Sequence, residues 1–183
     1  WKAISLTGDQ NEVSKMIEYL SAIMHYSLEG SNRTVTLEEE ISNTKSYIEI
    51  QKIRYKDKFR VIWQYDEEIT RYNVIKLLFQ PLIENSIYHG IKEKEGKGFI
   101  KIKMQTVKSK LKISIIDNGI GIERKKLADI KERLSAEGDY SEHIGMFNTY
   151  KRLQLVYGEQ FNFKIRSRFG WGTAIYISIP TVN

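Results

Sequence analysis

Apolar residues recur at Val13, Ile17, Leu20, Met24 and Leu28, three or four positions apart, so Asp9 to Leu28 is predicted as an amphipathic helix. Gly30-Ser31-Asn32 breaks it. Thr36 with Glu39 three residues later is a capping-box signature, and Leu37, Ile41, Thr44, Ile48 and Tyr55 carry a second helical stripe behind it. Two helices joined by a short connection predict a hairpin. Glu38-Glu39-Glu40 falls at the positive end of the second helix, and as a charge run it also reads as a solvated face.

After Asp57 the period drops to two. Phe59, Val61, Trp63 and Tyr65 alternate with other residues and predict a strand. Asn73 is read as the cap of a helix running to about His89, which Pro81 should bend because it withholds a backbone donor. Beyond the charged turn Lys92 to Gly96, Ile100/Ile102/Met104 and Leu111/Ile113/Ile115 predict two strands turning at Lys108-Ser109. Glu123 to Ser135 reads as a charged helix and Gly138 to Ser141 as a loop. Met146, Tyr150, Leu153 and Tyr157 form a helical stripe, and two strands close the chain around Phe161/Phe163/Ile165 and Ile175/Ile177/Ile179. Tight turns between consecutive strands argue against a doubly wound βαβ fold. The expected class is α+β: a helical hairpin over residues 1–57, then a two-layer sandwich of helices on a mixed, mostly antiparallel sheet over 58–183.

Composition bounds this picture without changing it. Hydrophobic residues are 41% and charged residues 28% of 183, within the range of globular domains. No run approaches the roughly 20 apolar residues of a spanning helix. The absence of cysteine excludes disulfides and thiolate chemistry and fits a reducing compartment. Lys and Arg exceed Asp and Glu by 29 to 23, a modest excess that serves solubility or attracts phosphates. The chain opens at Trp1 without a methionine, so it is expected to be a piece of a longer protein, itself possible as a membrane protein.

Four segments could carry chemistry. In Gln80-Pro81-Leu82-Ile83-Glu84-Asn85-Ser86-Ile87-Tyr88-His89-Gly90, the apolar stripe through Val74, Leu78 and Pro81 reaches Asn85 where another apolar residue is due, with His89 one turn on. A buried amide needs partners, so Asn85 is either satisfied within the core or faces a ligand. A strand ending at Ile116 delivers Asp117-Asn118-Gly119-Ile120-Gly121, which can aim a carboxylate while glycines admit a close ligand, or simply make an Asn-Gly turn. His143-Ile144-Gly145-Met146-Phe147-Asn148 leads into a helix whose free amides could hold an anion, or is an ordinary helix start. Gly170-Trp171-Gly172-Thr173 lies between the last strands, where a glycine hairpin turn is the simplest reading.

In this order, the four segments resemble the nucleotide-binding domain of sensor histidine kinases, within the superfamily of gyrase, heat-shock chaperone, histidine kinase and MutL ATPases. Leu78-Phe79-Gln80-Pro81-Leu82-Ile83-Glu84-Asn85, with Tyr47 to Tyr55 upstream, is similar to the LytS/YesM type. The resemblance implies a Bergerat-type ATP-binding fold. It implies that Asn85 holds Mg²⁺ on the ATP phosphates, with His89 in the same motif. Asp117 would accept the adenine amino proton, Gly119 and Gly121 would shape its pocket, and Thr173 would support it. Gly145 and the amides after it would contact phosphate, with Asn148 in the same motif, Gly170 and Gly172 would turn beneath the nucleotide, and Glu84 would be an orienting group or base. Residues 123–143 would form a mobile lid, whose Arg124, Lys125 and Lys126 could approach phosphates but read first as a solvated face. The implied chemistry is γ-phosphoryl transfer to a histidine and relay to a response regulator, by the cytoplasmic portion of a homodimeric membrane sensor.

The sequence departs from the family pattern in two places. His143 replaces the first glycine and Met146 the leucine of Gly-x-Gly-Leu-x-Asn. The family's Pro-His-Phe-Leu-Tyr-Asn phosphoacceptor motif is missing, and His25 reads as an ordinary helix histidine, so the chain alone is expected to bind Mg-ATP without autophosphorylating. The same pocket would suit a serine kinase of the anti-sigma-factor type, against which the hairpin speaks, or a conformational ATPase, which needs a transducer domain beyond Asn183. Lys101, Lys103, Lys108, Lys110 and Lys112 match a solvated sheet face as well as a nucleic-acid module, and no nucleic-acid partner is expected.

Overall fold

The computed structural model describes residues 10–28, 33–56, 58–135 and 144–181. Helix α1 (Gln10–Leu28) lies against α2 (Leu37–Arg54), the hairpin expected. Thr36 caps α2: its Oγ1 accepts from Glu39 N at 3.2 Å, and Glu39 Oε2 accepts from Thr36 N at 2.8 Å. Of the anticipated stripe of α1 only Val13 is half-buried; the rest stays in solvent, with Ile17 63%, Leu20 53%, Met24 55% and Leu28 79% exposed. The neighbouring stripe of Met16, Tyr19, Ile23 and Tyr26 is half-buried instead.

The five-stranded sheet has the order β2 (Phe59–Gln64), β4 (Gly98–Val107), β5 (Lys110–Asp117), β7 (Gly172–Pro180), β6 (Asn162–Arg168). β2 and β4 are parallel and every other pair is antiparallel, the mixed sheet expected. Alternation sends Ile100, Ile102, Ile113, Ile115, Ile175 and Ile177 inward, where helices cover them. The helical layer comprises α2, α3 (Gln80–Asn85), α4 (Arg124–Ser135) and α5 (Ile144–Tyr157).

One segment departs from its sequence reading. Asn73–Ile75 is not the start of a helix but strand β3, antiparallel to β1 (Thr34–Thr36). The β-branched Val74 and Ile75, fully buried, suit that pairing. The helix begins only at Gln80, with Pro81 in its first turn, where no backbone donor is needed; Pro81 therefore starts the helix rather than bending it. Leu77, at φ 56°, turns the chain between strand and helix.

Glu40 organises this junction. Its side chain is buried, with its carboxylate accepting from Leu77 N at 2.8 Å, from Phe79 N at 3.0 Å and from the Tyr26 hydroxyl. Burial raises its pKa against the lowering effect of these donors. The middle residue of the Glu38-Glu39-Glu40 run is solvated, whereas its last residue joins α1, α2 and the entry to α3 in one knot.

Candidate functional site

A cavity of about 520 Å³ opens between α3, the loop after β5, α4 and α5. At the end of α3 the hydrogen bonding widens into a π-helical turn, Ser86–Ile91, a distortion frequent at functional sites. It sets Asn85, Ser86, His89 and Gly90 along one wall. The Asn85 Nδ2 is buried without a hydrogen-bond partner among the described residues, an unusual state for an amide inside a fold. Asn85 also lines the cavity, so this amide lies where a ligand could meet it.

Asp117 ends β5, on the inner face of the sheet. Ser86 Oγ donates to its Oδ2 at 3.0 Å, while Gly119 N and Thr173 N donate to its Oδ1 at 2.9 and 3.3 Å. Burial raises its pKa, and these three donors pull the other way. Gly119 passes so close to Gly90 that a side chain there would enter its backbone. The Asn118 side chain, by contrast, turns away and accepts from Phe99 N at 2.6 Å.

The remaining residues singled out in the sequence divide. Gly121 and Thr173 line the cavity with Asn85, His89 and Asp117, and Gly119 backs the Asp117 carboxylate. Gly170 donates its N–H to Ile120 O at 2.6 Å, tying the β6–β7 turn to the loop after β5. Gly172 opens β7, its carbonyl accepting from Ser167 Oγ at 2.8 Å. Gly145 faces Pro81 rather than the cavity, and Asn148 is exposed one turn further along α5; Met146 is the α5 residue that reaches the lining. Glu84 is exposed and outside the cavity. His143 lies outside the described residues, as does residues 136–143 of the expected lid; its helical part is α4.

Sequence reading missed several lining groups. Ser86 gave no signal beyond its place beside Asn85, since a helix serine is commonplace. Of the lid cations that could approach phosphates or form a solvated face, Lys126 lines the rim, and Lys92 and Glu93 join it from the turn after Gly90. Ile120, Ile122, Ile130, Ile165 and Ile175 supply an apolar floor beside the Asp117 carboxylate. That combination suits a flat ring bearing a hydrogen-bond donor, with cations at the mouth for its anionic substituents.

The chain is similar to known proteins over most of its length. The profile described as histidine kinase-, DNA gyrase B-, and HSP90-like ATPase matches residues 71–183, and one described as histidine kinase matches 2–59. An uncharacterized sensor-like histidine kinase of Staphylococcus epidermidis is 33% identical over 91% of this chain and 32% of its own length. Sensor protein kinase HptS of Staphylococcus aureus is 30% identical over 90% of this chain and 32% of its own length. The chain thus spans about a third of these relatives. Among solved structures, the histidine kinase domain of a blue-light activated histidine kinase from Erythrobacter litoralis superposes with a TM-score of 0.58, at 16% identity, over 98% of this chain and 84% of that one. The catalytic domain of histidine kinase ThkA gives 0.54 at 17% identity, over 81% and 94%.

Proposed function

Because the chain belongs to the histidine kinase-, DNA gyrase B- and HSP90-like ATPase family, as a sensor histidine kinase, we propose that its cavity binds Mg-ATP for transfer of the γ-phosphoryl group to a histidine. The observation that carries this reading is the convergence of the Asp117 carboxylate and the unsatisfied Asn85 amide on one apolar-floored cavity. Asp117 would accept from the adenine amino group, held by Ser86, Gly119 and Thr173. Gly121 would let the base lie against the loop, and Gly170 and Gly172 would fix the turn below it. Lys126 and Lys92 would meet the phosphates. His89 would border them, and Gly145 and Asn148 would set the start of α5 beside them.

Among the described residues no group of three His, Asp or Glu side chains could hold a metal. A divalent cation would be held by Asn85 Oδ1, with phosphate oxygens and waters completing its shell, because Mg²⁺ dehydrates reluctantly and leans on substrate phosphates. Asn85 lines the cavity and fits that role through its amide oxygen, whereas its unpartnered Nδ2 is a donor suited to a phosphate oxygen. When bound, Mg²⁺ would neutralise charge on the phosphates. The protein's own part is positioning: Asp117 fixes the base, the lysines fix the phosphates, and Glu84, on the solvent side of the helix, would orient an incoming imidazole. A neutral imidazole is already nucleophilic near pH 7, so a strong base is not required.

We assign residues 1–57 to the helical hairpin of the dimerisation region and 58–183 to catalysis. The exposed stripe Ile17, Leu20, Met24 and Leu28 would be covered by α1 of a second copy in the full-length homodimer. That parent, a membrane-anchored sensor with this portion in the cytoplasm, would pass phosphate to a response regulator. No described helix is itself long and apolar enough to cross a membrane. The acceptor is a histidine other than His25, His89 and His143, so this chain alone takes up no acid-labile phosphate.

The test is thermal stabilisation by ATP, with and without Mg²⁺, for the native chain, Asn85→Ala and Asp117→Asn. Asn85→Ala should lose the Mg²⁺-dependent part, and Asp117→Asn should lose stabilisation under both conditions. Native-like shifts in both variants would refute the site.

A further inference from the structure

On the face of the sheet turned away from the nucleotide cavity, every charged residue is basic. Its outward positions include Arg60 on β2, Lys101 and Lys103 on β4, Lys112 on β5, and Lys164 and Arg166 on β6. The only carboxylate within the five strands is Asp117, buried on the inner face, although the chain has 23 Asp and Glu to distribute. None of the six is in an ion pair recorded among the described residues. A face meant merely for solubility would mix both signs, because interspersed charges avoid self-repulsion.

Three observations select the partner. The cations extend from one edge strand to the other, about 19 Å across four inter-strand spacings, so the partner must be anionic over that width. Near the middle, the face sinks into a hollow of about 340 Å³ rimmed by Lys103, Lys112, Ser114, Tyr176 and Ser178, where cations and hydroxyls could seat a phosphate group. At one end, Trp171 projects from the β6–β7 turn, 72% exposed, with the Arg168 guanidinium 5.1 Å from its ring. A tryptophan beside arginine is suited to the boundary between headgroups and hydrocarbon, where its apolar body is covered and its N–H stays hydrated.

We propose that this sheet face docks on an anionic phospholipid bilayer, with Trp171 inserted at the interface and the Lys103–Lys112 hollow holding a headgroup phosphate. Nucleic acid fits less well. Single strands need aromatic platforms, and the one aromatic ring at the middle of this face, Tyr176, has the Arg166 guanidinium over it at 5.9 Å. A duplex is read by a helix or narrow ribbon in its groove rather than by a broad sheet. The nucleotide cavity opens on the helical side, so a docked chain keeps it accessible.

The test is co-sedimentation of the 183-residue chain with vesicles of phosphatidylcholine alone or with about 30% phosphatidylglycerol, a composition that supplies the negative surface potential. Binding is expected only to the anionic vesicles, weakening as salt rises and unaffected by ATP. The triple variant Lys103→Glu/Lys112→Glu/Arg166→Glu should bind at least about a hundredfold more weakly, since each cation contributes roughly a fivefold factor. Trp171→Ala should bind more weakly too and remove the blue shift of tryptophan emission seen on binding. Where charge reversal impairs folding, judged by circular dichroism, the neutral variant Lys103→Gln/Lys112→Gln/Arg166→Gln replaces it, with the same loss expected. Equal binding to both vesicle types, or native-like binding by the triple variant, overturns the proposal. So does tighter retention on RNA or DNA than on anionic vesicles at the same salt, which would make nucleic acid the partner.

Discussion

Ser86 Oγ and Asp117 Oδ2 lie 3.0 Å apart, a hydrogen bond from the nucleotide helix to the end of a central strand. It holds the carboxylate between two elements and favours its ionised form against the cost of burial. Ser86→Ala removes that donor and should weaken ATP binding about fivefold to tenfold, the worth of one such bond. The loss should be the same with and without Mg²⁺. Titration calorimetry at several pH values reads both. A loss confined to the Mg²⁺ condition would place Ser86 with the phosphates instead of the base.

Asp117 also links function to stability. Burial lifts its carboxyl above the ordinary 3.8, so the folded chain keeps this proton to a higher pH than the unfolded chain does. Ionised Asp117 therefore costs stability, and the cost develops as pH rises from the unfolded value through the folded one. Asp117→Asn has no such titration and preserves the acceptors for Gly119 N and Thr173 N. At pH 7 the variant should be more stable than the native chain while binding ATP poorly. Its advantage should shrink as pH falls through the raised pKa. Urea midpoints across a pH series test this; a pH-independent difference would contradict it.

Local patterns revealed most of this fold because most of its elements are local. The β4–β5 hairpin, the capping box at Thr36 and the Asp117-Asn118-Gly119 turn all rest on neighbours in sequence. The error at Asn73–Ile75 arose from a pairing with Thr34–Thr36, and no periodicity announces a partner so distant in sequence. Burial was hidden for the same reason. Ile17 and Leu20 face solvent, while Glu40, in an acidic run, is fully buried, since the surroundings of both are tertiary. At the site, Asn85 and Asp117 were conspicuous as polar residues in apolar settings, whereas Ser86 became visible only once Asp117 lay beside it.

Glu40 supports a third prediction. It is the acceptor for Leu77 N and Phe79 N, the residues that turn the chain into the nucleotide helix. Glu40→Ala would leave the buried Phe79 amide without that partner and should cost about 3 kcal/mol, even though it also removes a desolvated charge. Tyr26→Phe alone should cost about 1 kcal/mol. The two changes should be non-additive, because both remove the same contact between α1 and the junction. A double-mutant cycle by chemical denaturation measures the coupling, and strict additivity would show that Tyr26 and Glu40 act separately.

The glycines of the site should differ sharply in tolerance. A methyl group on Gly119 would enter the Gly90 backbone and lie 2.9 Å from Asp117 Oδ1, and backbone cannot step aside as a flexible side chain can. Gly119→Ala should therefore cost about 3 kcal/mol or more and distort the Asp117 carboxylate, with loss of ATP binding. Gly170 has φ 80° but nothing within 4 Å of an added methyl, so Gly170→Ala meets only the strain of a left-handed conformation, about 1 kcal/mol. Its ATP affinity should change less than threefold, about the effect of a small backbone adjustment. Thermal midpoints and ATP titrations of the two variants separate a close approach from a plain turn. Should Gly119→Ala behave like Gly170→Ala, the contact between the nucleotide helix and the loop after β5 is looser than this geometry requires.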